Sequence, residues 1–255
     1  MNSCIEVGKI QSNELIGPAI YRMAVFSPEI AKNSRVGQFV HVRVANSTAP
    51  LLRRPLSLAG ADAKNGNIIL IYRVVGIGTD LMAKMKTGDS IDCLGPLGTS
   101  FTPVKGKALL VGGGVGIAPL LYLAEVLGPE RVTAVIGGRN EEELFWKDLF
   151  GTATVICTSD DGSIGQKGFV IDALPALLKK IQYDCIYTCG PNRMMEKVAA
   201  LAEEYGVRCE VSLESYMACG TGGCLGCAVA GRGGKRYKVC HDGPVFPAEE
   251  VFFRA

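Results

Sequence analysis

Cys219, Cys224, Cys227 and Cys240 are spaced C-x4-C-x2-C-x12-C, within the segment CGTGGCLGC and the stretch that follows it. This is the plant-type spacing with which four thiolates hold a [2Fe–2S] cluster. Thiolates that must reach two irons from one tight loop need backbone N–H groups turned inward to the sulfurs. Gly220, Gly222, Gly223 and Gly226 lack the Cβ that would obstruct such a loop. A zinc knuckle is the other reading, although it usually pairs two C-x2-C units at wider separation and does not need so many glycines.

Two further constellations suit nucleotides. Leu109-Leu110-Val111 runs into Gly112-Gly113-Gly114-Val115-Gly116-Ile117-Ala118-Pro119, ahead of a helical pattern. Glycines let such a turn press against a pyrophosphate, and the helix N-terminus offers unpaired N–H groups and a partial positive charge. The match to G-x-G-x-x-G is incomplete, since Ile117 or Pro119 falls where the third glycine belongs, so a merely structural glycine turn stays open. Where an acidic residue usually ends the second strand, Gly137-Gly138-Arg139 stands instead. An arginine there either accepts a 2′-phosphate, which keeps NADP in play, or is a solvated turn residue. Upstream, Arg53-Arg54-Pro55-Leu56-Ser57 closes one strand, Ile71-Tyr72-Arg73 lies in another and Gly78-Thr79 opens a short helix. The arginine fork bonds a pyrophosphate bidentately, and a hydroxyl suits a flavin ring nitrogen. Such a string is often only a strand end; its place before a nucleotide module turns the reading toward a flavin.

The elements that must position these groups fall into three regions. Up to about residue 101 the pattern is strand-like, with Cys4–Ile10, Ala19–Phe26, Gln38–Val44, Ile68–Val75 and Ser90–Leu94 separated by turns such as Asn65-Gly66-Asn67. One short helix is expected over Asp80–Lys86, and the whole reads as a small antiparallel barrel. After Phe101-Thr102-Pro103, apolar strands at Ala108–Val111, Thr133–Ile136, Ala153–Cys157, Cys185–Thr188 and Arg208–Leu213 alternate with helical patterns near Ala118–Leu127, Glu141–Phe150, Val170–Lys180 and Met194–Tyr205. That alternation predicts βαβ units around a five-stranded parallel sheet. From about Tyr216 onward there is too little apolar periodicity for an independent core. The fold class is therefore α/β plus all-β, divided as 1–102 for a six-stranded flavin-binding barrel, 103–215 for the nucleotide-binding sheet and 216–255 for the cluster.

Composition removes other classes. Of the 255 residues 48% are hydrophobic and 20% charged, too apolar for a disordered chain. Twenty-seven basic against 25 acidic residues, with no block of like charge, leave no electrostatic footprint for nucleic acid or a polybasic membrane contact. Ala108 to Ala124 runs without a charge but is interrupted by glycines and a proline, and it reads as strand, turn and helix instead of a membrane span. The N-terminus shows no basic and apolar leader pattern, so a reducing, cytoplasmic setting is expected. Ten cysteines there point to metal ligands, redox groups or small core residues, not to a disulfide framework. For Cys4, Cys93, Cys157, Cys185 and Cys209 the expectation is a small buried hydrophobe.

Taken in order, Arg54-Pro55-Leu56-Ser57, the Gly112–Pro119 turn and Cys189-Gly190-Pro191 resemble the ferredoxin reductase superfamily. Within it the chain is most similar to the electron-transfer subunits of NAD-dependent, two-subunit dihydroorotate dehydrogenases. RPLS (54–57), IYRVVGIGT (71–79), GPLG (95–98), SDDGSIGQKG (159–168), CGPNRMM (189–195), MACGTGGCLGC (217–227) and CHDGPVF (240–246) carry the likeness. Cys219 stands where some related reductases have aspartate, and Leu56 where many have tyrosine. The resemblance implies an oxidoreductase subunit of pyrimidine biosynthesis that uses FAD, a [2Fe–2S] cluster and NAD. Electrons from the FMN of a catalytic partner would pass singly through the cluster to FAD, and a hydride would return to NAD+. The partner, which would carry the dihydroorotate site, is expected in a heterotetramer with two copies of each chain.

Residue by residue, the resemblance implies that Arg54, Pro55, Leu56, Ser57, Ile71, Tyr72, Arg73, Gly78 and Thr79 hold FAD, with Ser57 at the isoalloxazine edge. Gly112, Gly113, Gly114 and Gly116 would hold NAD, and Cys189 would lie beside the reacting nicotinamide. Leu225, Val245, Phe246, Val251, Phe252 and Phe253 are expected to include several residues of a subunit interface beside the cluster. Two alternatives remain: an NAD(P)H reductase serving another acceptor such as ferredoxin or a hydrogenase, and a non-catalytic zinc and nucleotide-binding module.

Overall fold

The computed structural model describes residues 3–252. Its first half closes into a barrel of β1 (Cys4–Gly17), β2 (Ile20–Phe26), β3 (Phe39–Arg43), β4 (Arg54–Asp62), β5 (Asn67–Arg73) and β6 (Ser90–Leu97), in the order β1-β2-β5-β4-β3-β6. Alternation puts Met23 and Val25 of β2 inside with Leu58, Ile68, Leu70 and Ile91. The arginine motif, expected at the end of a strand, instead opens one, and β4 runs on to Asp62. A helix with no apolar period in the sequence, α1 (Pro28–Asn33), starts at a proline. Its first turn is satisfied from β1, where the Glu6 carboxylate accepts the Glu29 and Ile30 N–H groups at 3.3 and 3.0 Å. The expected short helix, α2 (Ile77–Ala83), lies slightly earlier than its apolar residues implied.

The second half is built on a sheet in which β7 (Ala108–Gly113), β8 (Val132–Gly138), β9 (Thr154–Ser159), β10 (Gln166–Lys167), β11 (Cys185–Cys189) and β12 (Arg208–Ser212) run parallel. The five expected strands form its heart; two-residue β10 extends one edge. Helices α3 (Ala118–Leu127), α4 (Val170–Lys180) and α5 (Asn192–Glu204) cover it. Met195, Val198, Ala199 and Ala202 make the buried stripe of α5 at helical spacing. The pattern at 141–150 forms a kinked run of 3-10 turns instead of an α-helix, broken at Leu144. The uncharged stretch resolves into β7, a 3-10 turn and α3, and no helix among the described residues is long and apolar enough to cross a membrane.

After β12 the chain forms the cysteine loop and a small hairpin of β13 (Ala228–Ala230) and β14 (Arg236–Lys238). It then returns as β15 (Val245–Pro247), antiparallel to β12 at the sheet's other edge, and ends its described part near α6 (Ala248–Val251). Strand β15 also reaches the segment that links barrel to sheet: the Thr99 hydroxyl donates to the Val245 carbonyl at 2.8 Å, and the Thr99 N–H donates to Gly243 at 2.6 Å. The order β8-β7-β11 reverses direction of growth between β7 and β11, so the carboxyl ends of these two strands form the crevice where such sheets bind ligands.

Candidate functional site

A cavity of about 590 Å³ lies between the barrel and that crevice. Arg54, Pro55, Leu56, Ser57, Ile71, Tyr72, Arg73 and Thr79 line its barrel side. They meet because β4 and β5 are neighbours in the closed barrel and α2 begins just beyond β5. Gly78 belongs to the same group: a Cβ there would collide with the Arg54 guanidinium. The barrel's salt bridges, Arg53 to Asp92 and Lys84 to Asp80, leave Arg54 and Arg73 out. The Arg73 Nε is buried with no partner among the described residues, a donor that an anionic ligand would satisfy. The Tyr72 ring stacks on Tyr21 at 5.8 Å and its hydroxyl donates to Asn13 Oδ1 at 3.0 Å. Burial raises the Tyr72 phenol above its ordinary range, so it stays neutral. Two arginines beside an apolar and aromatic wall fit a flavin dinucleotide.

The opposite wall carries Val115 and Ala118 from the glycine turn and Leu213, Glu214, Ser215, Tyr216 and Met217 from the exit of β12. Glu214 was not singled out from sequence, yet it shares this cavity with Ser57 and its charge acts on Cys189. Its side chain is exposed, yet the protein around it raises its carboxyl above the ordinary range. Its position at the carboxyl end of a parallel strand was the signal that could have found it.

The four glycines expected at NAD divide by role. Gly113 and Gly114 line a second cavity, about 470 Å³, together with Gly137, Gly138, Arg139 and Asp160. Gly112 packs on Ile117 and Leu120, and Gly116 interlocks with Gly190, whose Cα would lie 2.6 Å from any Cβ. Arg139 is exposed and donates through Nε to Glu143 at 2.8 Å. That contact holds the Glu143 carboxyl below its ordinary range. Cys189 ends β11 between Gly112 of β7 and Ser212 of β12, with 1% of its surface exposed. Burial raises its thiol, so it presents a neutral sulfur just beneath the crevice. Cys93, Cys185 and Cys209 are buried as expected, while Cys4 and Cys157 are only partly so.

In the cysteine loop every thiol receives a backbone donor. The N–H groups of Thr221, Gly222, Gly226 and Cys240 point to the sulfurs of Cys219, Cys240, Cys224 and Cys227 at 3.4, 3.1, 3.4 and 3.4 Å. The sulfurs lie close enough to act on one another: Cys224 on Cys219, and Cys227 and Cys219 on Cys240. Among the described residues no three metal-binding side chains gather as they would around one ion. Four neighbouring thiols with inward N–H donors fit two bridged irons. The Thr221 N–H, aided by Cys224, lowers the Cys219 thiol to about 6. Gly220 and Gly222 take φ of +73° and +85°, where a side chain is strained, whereas Gly223 faces open space and imposes no such demand. Cys224 is exposed and Cys227 and Cys240 are buried, so the loop presents one edge to the surface.

Of the apolar residues expected at an interface, four pack wholly or partly within the chain itself. Val245 and Phe246 are 7% and 3% exposed because they form β15 against β12, and Val251 and Phe252 pack partly on the core that holds Phe246. Leu225 is 64% exposed beside the cluster loop, at a φ of +62°. Phe253 lies outside the described residues.

Residues 9–101 match the oxidoreductase FAD-binding domain, and residues 214–252 match the iron-sulfur cluster binding domain of dihydroorotate dehydrogenase B. The electron transfer subunit of dihydroorotate dehydrogenase B (NAD(+)) from Geobacillus kaustophilus (strain HTA426) is 42% identical over 253 residues, covering 95% of this chain and 96% of the relative. The protein of the same description from Desulforamulus reducens is 37% identical over the same shares. Among solved structures, a chain of the NADH-dependent reduced ferredoxin-NADP oxidoreductase superposes with a TM-score of 0.87 at 35% identity, over 96% of this chain and 90% of that one. A ferredoxin NADP+ reductase from Neisseria gonorrhoeae, at 20% identity and a TM-score of 0.61 over 79% of this chain and 92% of its own, shares the fold.

Proposed function

Since the chain belongs to the family of dihydroorotate dehydrogenase B electron-transfer subunits, we propose that it passes electrons from the FMN of a catalytic subunit to NAD+ in pyrimidine biosynthesis. The observation that carries this reading is the path of residues 213–219. Leaving β12, the chain lines the flavin cavity from Leu213 to Met217 and arrives at Cys219 within two further residues. One short covalent segment thus borders both redox sites.

When bound, FAD supplies the exchange between hydride transfer and single-electron transfer that nicotinamide and an iron–sulfur centre require. Arg54 and Arg73 hold its pyrophosphate, with Gly78 and Thr79 shaping the turn beneath. Leu56, Ile71 and Tyr72 pack the flavin, Pro55 stiffens the strand, and the Ser57 hydroxyl serves the ring edge. Glu214, its carboxyl raised above the ordinary range, faces that edge from the exit of β12. Gly113 and Gly114 admit the nucleotide, Gly112 and Gly116 lock the turn, and the neutral Cys189 sulfur supports the nicotinamide side. Cys219, Cys224, Cys227 and Cys240 ligate the cluster. Glu143 and Asp160 at the second cavity favour ribose hydroxyls over a 2′-phosphate, hence NAD. The division into residues 1–102, 103–215 and 216–255, a cytoplasmic location and a heterotetramer with two copies of each subunit complete the proposal.

Anaerobic co-expression with an FMN-containing catalytic subunit tests it. The expected result is co-purification and dihydroorotate-dependent NAD+ reduction; stable association without that turnover, or no association, would count against the assignment.

A further inference from the structure

His41 is a buried titratable side chain outside the roles assigned above. It sits on β3 with no exposed surface, and neither ring nitrogen has a hydrogen-bond partner among the described residues. An unpaired, fully buried imidazole is destabilising, so something must compensate for it. Its surroundings are specific. Across the β3–β4 ladder His41 faces Pro55, within the flavin motif, and the Arg53 Nη1 donates to the His41 carbonyl at 3.1 Å. On its other side the ring lies against the cysteine loop. A Cβ at Gly220 would collide with Nδ1 and stand 3.1 and 3.2 Å from Cε1 and Cγ. The backbone groups of Arg53 and Cys219 are the polar neighbours that act on the ring.

The imidazole therefore fills the space between the strand that presents the flavin motif and the first cysteine of the loop. We infer that His41 is a positioning residue for the iron–sulfur centre: its ring N–H engages the Cys219–Gly220 backbone in the loaded protein and fixes the Cys219 thiolate relative to β4. This rests on the reading of the four cysteines as cluster ligands. Groups that orient a metal ligand tune the centre they surround, through ligand geometry and hydrogen bonding near the sulfurs. Gly220 is then glycine because the ring occupies the place of its side chain.

The test uses the full chain purified anaerobically with FAD and cluster. His41→Leu should keep FAD and NADH-dependent dye reduction, alter the electron paramagnetic resonance spectrum of the reduced cluster, and slow cluster reduction by NADH about tenfold, the lower end for loss of a group that orients a ligand. His41→Gln, which retains a donor, should restore most of both. A Leu variant with the wild-type spectrum and rate overturns the inference. Should the Leu variant lose FAD, His41→Phe decides, because it fills the place of the ring without an N–H: a changed cluster spectrum supports the role, and an unchanged one overturns it. A wild-type chain without iron and sulfide would sink the cluster reading and this role with it, whereas a loaded wild type matched by its His41 variants sinks only the role of His41.

Discussion

Arg54→Ala takes a guanidinium out of the flavin cavity while leaving the barrel interior alone, because Arg54 is the first residue of β4 and only half-buried. Its protein bond is to the Leu52 carbonyl, within the same loop, and it belongs to no salt bridge among the described residues. Losing one such bond costs the apoprotein about 1 kcal/mol or less. The ligand loses more. Two charge-assisted bonds to a pyrophosphate, at about 1.5 kcal/mol each on the lower estimate, total about 3 kcal/mol, or a roughly hundredfold rise in the FAD Kd. Arg54→Lys keeps the charge but not the planar fork, and should fall between. Titration of FAD into apoprotein by flavin fluorescence gives the affinities, and melting without FAD gives the control. An unchanged Kd, or a loss of affinity that tracks an equal loss of apoprotein stability, would refute the reasoning.

Cys224→Ser should deplete iron and sulfide while the barrel retains FAD, because the Cys224 side chain is exposed and belongs to neither core; metal analysis beside the flavin spectrum checks this. Steady-state dye reduction should show a clear preference for NADH over NADPH, and Glu143→Gln should narrow it by freeing Arg139 for a phosphate. For Glu214 the raised carboxyl sets the sign: the proton is held past the ordinary carboxylate range, so turnover that needs it is lost as pH rises through the raised value. Glu214→Gln should flatten that limb of the pH profile of NADH oxidation. Leu225→Glu should abolish dihydroorotate-linked turnover while sparing NADH-dependent dye reduction, since the side chain is exposed beside the cluster loop; loss of both activities would place the contact elsewhere.

What the sequence made legible was whatever local spacing encodes. Cysteine spacing located the loop, and apolar alternation with helical stretches located the five central strands and α3 and α4 to the residue or nearly so. The flavin residues gathered in one cavity because their motifs sit at neighbouring strand ends. The rest depended on contacts distant in sequence. Strand β15 spans three residues and exists only by pairing with β12, so Val245 and Phe246 looked like an unpartnered tail. Pro55 suggested a strand end, since proline cannot donate to a ladder, but near a strand's start it is tolerated. Helix α1 is too short to show a period, and its N-terminus is completed by Glu6 from another element. Glu214 and His41 belong to no motif; only the folded chain shows what they face.

Strand β15 joins parts of the molecule made at very different times. On the ribosome the barrel strands and β7 to β12 emerge before residues 245–247, and sheets with an unpaired edge recruit other chains. Until β15 arrives, the β12 edge lacks its final neighbour and Thr99 lacks its long-range bonds. The cysteine loop lies between β12 and β15 in sequence, so the strand that seals that edge also anchors both ends of the loop. Chains interrupted before residue 245 would carry the three earlier thiols and even Cys240 on an untethered segment. Only a chain extended through residue 247 holds the cysteine loop between two paired strands.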